Sequence, residues 1–184
     1  MKAGILLLLP LCFLLLSNSC SKTKSEDKLP PETQTGANTF GCLVDGKVWI
    51  PTGGGVGSGI NPTSGGFYET PNNKKNIYIR ASSDNDGISV FLKEIFSIGT
   101  YSLNKATAIQ PNAIYPDSYG AFIQKFSGTE KYFITNVQYT GSVTITYADT
   151  ISNVVSGRFE FTAQNMQSGE IKNITEGRFD YKTH

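Results

Sequence analysis

The chain is expected to fold as an all-β domain, an antiparallel β-sandwich or barrel of about 8–10 strands arranged as a hairpin-rich meander. Three observations point there. Apolar and polar residues alternate with period two, as in Ser142-Val143-Thr144-Ile145-Thr146-Tyr147, the pattern of a half-buried strand. Short runs of this kind are separated by turn residues. No convincing amphipathic helix occurs along the chain.

Each element follows from its own residues. Strands at 39–44 and 47–50 flank Asp45-Gly46, a strong two-residue hairpin signal. The alternations Ile77-Ile79-Ala81 and Ile88-Val90-Leu92 place strands at 76–82 and 87–93, joined by the polar turn Ser82–Gly87. Further strands are expected at 99–103, 118–126, 131–139, 141–148, 154–164 and 172–181. The Gly-rich connection 52–66, with Asn61-Pro62, and the connection 104–117, with Pro111 and Pro116, read as the long irregular ones. Function most naturally sits in such loops.

The last two strands carry a repeat. Gly157-Arg158-Phe159-Glu160-Phe161 recurs as Gly177-Arg178-Phe179-Asp180-Tyr181, and the two copies read as partners in one hairpin. Repulsion disfavours a register with Arg158 opposite Arg178. The expected register therefore sets Arg158 against Asp180, Glu160 against Arg178 and Phe159 against Phe179, with each glycine beneath an aromatic ring and the turn centred on Gly169. The charges read as a solvent-facing cross-strand ladder.

The N-terminus speaks to location. Lys2 is followed by an apolar stretch to Leu16 that is too short for a membrane-spanning helix and is interrupted by Pro10, the pattern of a secretory signal. Residues 1–19 are read as a cleaved signal peptide, 20–37 as Cys20 and a disordered tether containing Pro30-Pro31, and 38–184 as one antiparallel β domain. Cys12 leaves with the signal, so Cys42 remains as a thiol in an apolar strand pattern, read as a small buried hydrophobe. Beyond residue 19 the basic and acidic side chains balance, which excludes a strongly basic nucleic-acid binder. The single histidine, His184, is the last residue, which disfavours histidine-dependent chemistry.

Leu16-Ser17-Asn18-Ser19-Cys20 resembles a bacterial lipobox. That resemblance implies cleavage before Cys20, diacylation of its thiol and acylation of the new amine, a stable anchor. Thr35-Gly36-Ala37-Asn38-Thr39-Phe40-Gly41-Cys42, then Val44-Asp45-Gly46-Lys47-Val48-Trp49, and the closing Gly-Arg-Phe-acidic pattern resemble a family of uncharacterised Bacteroidota (Bacteroidetes) lipoproteins of unknown function. The resemblance implies a cell-envelope lipoprotein with an all-β domain, and the expected location is the outer membrane, on its periplasmic face or at the cell surface. It brings no catalytic residues.

Candidate chemistry is sparse. Asp84-Asn85-Asp86-Gly87 has the opening of a calcium loop, but the closing glutamate is missing, so Asp84 and Asp86 read as a polar turn and no metal or other cofactor is expected. Gly53–Gly59 lacks the Lys-Ser/Thr of a phosphate loop. Trp49, Tyr68 and Tyr115, together with Tyr78 and Tyr119, are candidates for stacking on a sugar or flat ligand. Asp149-Thr150-Ile151 fits a short O-glycosylation pattern, making Thr150 a candidate acceptor. The expected function is a non-enzymatic, lipid-anchored envelope protein whose domain binds a glycan, small apolar ligand or protein partner, or serves as a structural accessory. Two alternatives are a lipocalin-like carrier, which needs a closed barrel, and an envelope hydrolase, which needs two carboxylates converging in one cleft.

Overall fold

A computed structural model describes residues 28–52, 62–69, 74–105, 107, 117–126 and 129–183. Cys20, Tyr115 and the Gly53–Gly59 run lie outside these residues. The described elements are all strands: β1 (Thr39–Val44), β2 (Lys47–Trp49), β3 (Thr63–Glu69), β4 (Lys75–Ser82), β5 (Asp86–Leu92), β6 (Gly99–Leu103), β7 (Tyr119–Phe126), β8 (Thr129–Ile134), β9 (Gly141–Asp149), β10 (Val154–Gln164) and β11 (Ile171–Lys182).

All pairings are antiparallel and run in one unclosed sheet, β2-β1-β11-β10-β8-β7-β5-β4-β3, with β9 on β10 and β6 on β9. The sheet folds over at β10. Its residues as far as Phe161 pair with β9, whereas its last residue, Gln164, pairs with Ile134 of β8. One half thus holds β6-β9-β10-β11-β1-β2 and the other β8-β7-β5-β4-β3. Side chains tie the halves face to face. The Tyr181 hydroxyl donates to Arg80 O at 3.2 Å, Thr183 Oγ1 donates to Gly65 O at 2.9 Å, and Trp49 Nε1 donates to Asp86 Oδ1 at 2.7 Å. Among the described residues this is a two-layered sandwich, and they do not form the closed barrel that a lipocalin-like carrier needs.

Alternation dictates what fills the space between the layers. Ile77, Ile79, Ile88, Val90, Leu92, Phe122 and Phe133 point inward from one half, and Phe40, Cys42, Val143, Ile145, Phe159, Phe161, Phe179 and Tyr181 from the other. The rings form a continuous stack, with Phe40 5.1 Å from Phe159 and Phe179 6.1 Å from Tyr181. Cys42 is fully buried within it, as its alternating pattern anticipated.

The Asp45-Gly46 hairpin forms as expected, with both residues at positive φ (50° and 77°), the geometry whose twist matches the flanking strands. Three other expectations need correction. Strand β3 begins inside the stretch 52–66 read as an irregular connection and runs on to Glu69. Gly65-Gly66 hides its pattern, although Gly65 is there because the Tyr181 ring comes to 2.6 Å of where a Cβ would stand. Strand β8 stops at Ile134 rather than running to 139, because the Asn136 side chain accepts from the backbone N–H groups of Gln138 and Tyr139 and folds the chain into a turn.

The third correction is the register of β10 and β11. Arg158 pairs with Arg178 and Ser156 with Asp180, and the pairing slips by one residue between Phe159 and Phe161. Phe159 consequently opposes Gly177, and Phe179 opposes Gly157. The glycine-under-ring arrangement survives with exchanged rings, a Cβ on Gly177 falling 2.5 Å from the Phe159 ring. Repulsion between the arginines is a weak force at a wet surface, and it is offset because Glu32 reaches Arg158. The register is rewarded elsewhere, by the burial of Asp180. Gly169, at φ 74°, sits in the loop after β10, where its amide donates to Asn165 O.

Residues 29–37, expected as part of the disordered tether, instead lie as a strap across the outer face of the β1-β11-β10-β9 half. Pro30 sits on Gly41 of β1 and its carbonyl accepts from Arg178 of β11 at 3.5 Å. Glu32 pairs with Arg158 of β10, and the Gln34 side chain donates to Thr146 O of β9.

Candidate functional site

Asp180 is what holds the strap. Its carboxylate is 1% exposed and accepts from Thr33 Oγ1 (2.6 Å), Thr35 N (3.0 Å), Gly36 N (2.8 Å), Ala37 N (3.0 Å) and Ser156 Oγ (2.7 Å). Three successive backbone amides converge on one anion because Gly36 adopts φ 73°, bending the strap into a nest. Burial by itself would raise the pKa of this group. The hydrogen bonds from Ala37 N, Ser156, Thr33 and Gly36 N outweigh that and hold it down at about 2.

Beside the strap the outer face of the same half is lined with hydroxyls and charges. The alternation that sends Val143, Ile145, Phe159 and Phe161 inward sends Ser142, Thr144, Arg158 and Glu160 outward. Across the strands Thr100, Thr144, Arg158 and Arg178 stand in one row, with the Thr100 and Thr144 hydroxyls 3.0 Å apart, and Ser102, Ser142 and Glu160 stand in the next. The β9, β10 and β11 members of these rows line a groove of about 330 Å³ that Glu32 and Glu176 also border. A second depression of about 440 Å³ shares Ser142 and Glu160 with it and continues to Thr162 and Thr175.

Charges in the groove are interleaved. Arg158 Nη2 lies 2.6 Å and its Nε 2.7 Å from Glu32 Oε2. Arg178 donates from Nε to Glu176 O at 3.3 Å and has Glu176 Oε2 3.8 Å from its Nη2. Glu160, opposite Ser142, is exposed. Glu176 occupies the irregularity of the β10–β11 pairing at φ 52°, a conformation that costs a side-chain-bearing residue of order 1 kcal/mol.

The residues singled out from the sequence form no common site: Trp49 meets Asp86, and Tyr78 packs in a small cluster with Tyr119, away from the groove. Trp49 is half-buried, edge-on to Phe40 at 5.8 Å, with its indole N–H on Asp86. Asp86 also accepts from Ser83, so its carboxylate serves protein donors, and no cluster of three metal-ligating side chains occurs around Asp84 and Asp86 or elsewhere among the described residues. Tyr68 is 49% exposed on β3, at the opposite end of the strand order from Trp49. Tyr78 is half-buried, whereas Tyr119 is fully buried against Phe91 with its hydroxyl 3.2 Å from Ser89 Oγ. Thr150 is exposed in the turn between β9 and β10, next to Asp149, which accepts from Ile151 N and Ser152 N. The Cys42 thiol is raised far above its ordinary pKa by burial and then by the charge of Asp86, which leaves it unreactive.

A family described as domain of unknown function (DUF6252) matches residues 63–181, well over half of the chain. The chain belongs to that family. Its DUF6252 domain runs from the start of β3 to Tyr181 in β11 and so contains Arg158, Glu160, Glu176, Arg178 and Asp180. The strap, with Glu32 and the amides that bind Asp180, and the β1–β2 hairpin precede the DUF6252 match. No curated protein and no solved structure matches the chain.

Sequence reasoning did not find the strap or the groove. The outward Ser, Thr, Arg and Glu positions were visible as the polar half of each strand, but only the register brings them into rows. Asp180 reads as part of a surface ladder because the strap donors that bury it, such as Thr35 N, lie some 145 residues away in sequence.

Proposed function

We propose that this protein is a lipid-anchored component of the bacterial cell envelope, held at the outer membrane through Cys20, whose β domain acts without catalysis as a binding or accessory module. The carrying observation is the lipobox-like run Leu16–Cys20 followed by a polar segment that leads directly into the strap. Acyl chains at Cys20 are the membrane partner in this reading, and a glycan or a protein is the partner of the domain. The outer-membrane location is part of the proposal.

Intact mass of protein extracted from the membrane fraction tests it. The expected result is a chain starting at Cys20 with added acyl mass, and a Cys20→Ala chain that leaves the membrane fraction. A soluble chain without acyl mass would refute the reading. The same spectrum reports whether Thr150 carries a glycan.

One observation favours a second reading, a carboxylate-dependent envelope hydrolase: Glu160 and Glu176 line one groove. In that reading the groove cleaves what it binds. Release of new reducing ends from an oligosaccharide, abolished by Glu160→Gln, would establish it in place of the non-catalytic one.

A further inference from the structure

We propose that the groove on the outer face of β9, β10 and β11 binds a linear, uncharged oligosaccharide. This rests on the binding-module reading and gives it a site and a ligand class. Shape is the first argument. The groove and the neighbouring depression share Ser142 and Glu160 and so lie side by side along β9 and β10, an arrangement suited to a chain rather than to a compact ion.

Chemistry is the second. Three carboxylates, Glu32, Glu160 and Glu176, face two guanidiniums, so the lining is close to neutral and exerts little attraction on a strongly charged ligand. Its groups alternate between acceptors (Glu160, Glu176) and donors (Arg178, Ser142), which complements the hydroxyls of a sugar, each both donor and acceptor. An apolar ligand would strip water from these groups without replacing their hydrogen bonds. An extended peptide would look for a free strand edge, yet β9, β10 and β11 are each paired on both sides.

The third argument is Glu176. At φ 52° glycine would fit without strain, but the position holds a carboxylate that lines the groove. Glu160 and Arg178 then contact the sugar from opposite sides, and Glu176 both contacts it and aligns Arg178.

Saturation-transfer NMR and calorimetric titration of the full chain in detergent, against neutral oligomers of glucose, mannose and N-acetylglucosamine and against hexuronate oligomers, test the assignment. Neutral oligomers are expected to bind. Glu160→Gln should weaken them about tenfold through loss of a charge-assisted hydrogen bond. Glu176→Gly should also weaken them, while leaving the thermal midpoint unchanged or raising it by roughly 2 °C. Binding of hexuronates alone, absence of transfer from every neutral oligomer, or an affinity indifferent to Glu160→Gln would each overturn the proposal. A lowered midpoint in Glu176→Gly would remove the third argument. Acyl mass on Cys20, measured on the same preparation, keeps failure of the site distinct from failure of the envelope reading.

Discussion

Replacing Asp180 by asparagine keeps the size of the side chain and removes its charge. In the wild type, Oδ1 accepts from Gly36 N and Ser156 Oγ, and Oδ2 from Thr33 Oγ1, Thr35 N and Ala37 N. In Asp180→Asn, one of these oxygens becomes an NH₂ group aimed at two or three donors. The depression of the carboxyl from 3.8 to about 2 corresponds to about 2 kcal/mol of stability at neutral pH. Stranding the buried donors adds about another 1 kcal/mol. We expect a total of about 3 kcal/mol, a fall in midpoint of roughly 10 °C for a domain of this size. The pH dependence has a fixed sign. Because the folded pKa is depressed, the stabilisation is fully present above the unfolded pKa near 4 and is lost as pH falls towards 2. Urea melts between pH 7 and pH 2.5 should therefore show a steeper acid limb for wild type than for Asp180→Asn. A variant within about 0.5 kcal/mol of wild type, or equal acid slopes for the two, would refute the reasoning.

Other predictions use different parts of the fold. A chain starting at Thr39 loses the strap and should be destabilised by an amount comparable to Asp180→Asn, with the two changes far from additive when combined, as urea melts of the single and double variants will show. Gly177→Ala should cost about 2 kcal/mol or more, because its Cβ would stand 2.5 Å from the Phe159 ring inside the aromatic stack; a midpoint unchanged in calorimetry would contradict that. Cys42 should resist thiol reagents in the folded protein and react only on the timescale of unfolding, measurable by absorbance at rising urea. Trp49→Phe should lose about 1–2 kcal/mol by leaving Asp86 without its indole donor, read from the same melts.

The local features that the sequence displayed were legible, and the non-local ones were not. Val143-Ile145 and Ile88-Val90-Leu92 announced their strands because their alternate residues are apolar and point into the space between the layers, and Asp45-Gly46 announced its turn because the turn needs two positive φ angles. The Gly-Arg-Phe repeat revealed two paired strands, but the charges and rings within the repeat do not by themselves decide their register. Glu32 and the amides of residues 35–37 lie far away in sequence, and they changed the balance for Arg158 and Asp180. Strand β3 was hidden because its inward Gly65 makes room for Tyr181, a requirement set by a residue more than a hundred positions later. The groove arises from the same register and was therefore equally hidden.

If Cys20 is lipid-anchored as proposed, the strap also fixes how far the domain can travel. Were the whole stretch from Cys20 to Asn38 free, its eighteen steps could extend to roughly 60 Å. Docking from Leu29 onward leaves nine steps, and a chain anchored at Cys20 has a leash of roughly 30 Å whatever conformation those residues adopt. Such a domain works within about one protein diameter of the bilayer, sampling what lies against the membrane rather than reaching deep into the space beyond it. Lengthening the leash requires no new residues, only release of the latch at Asp180.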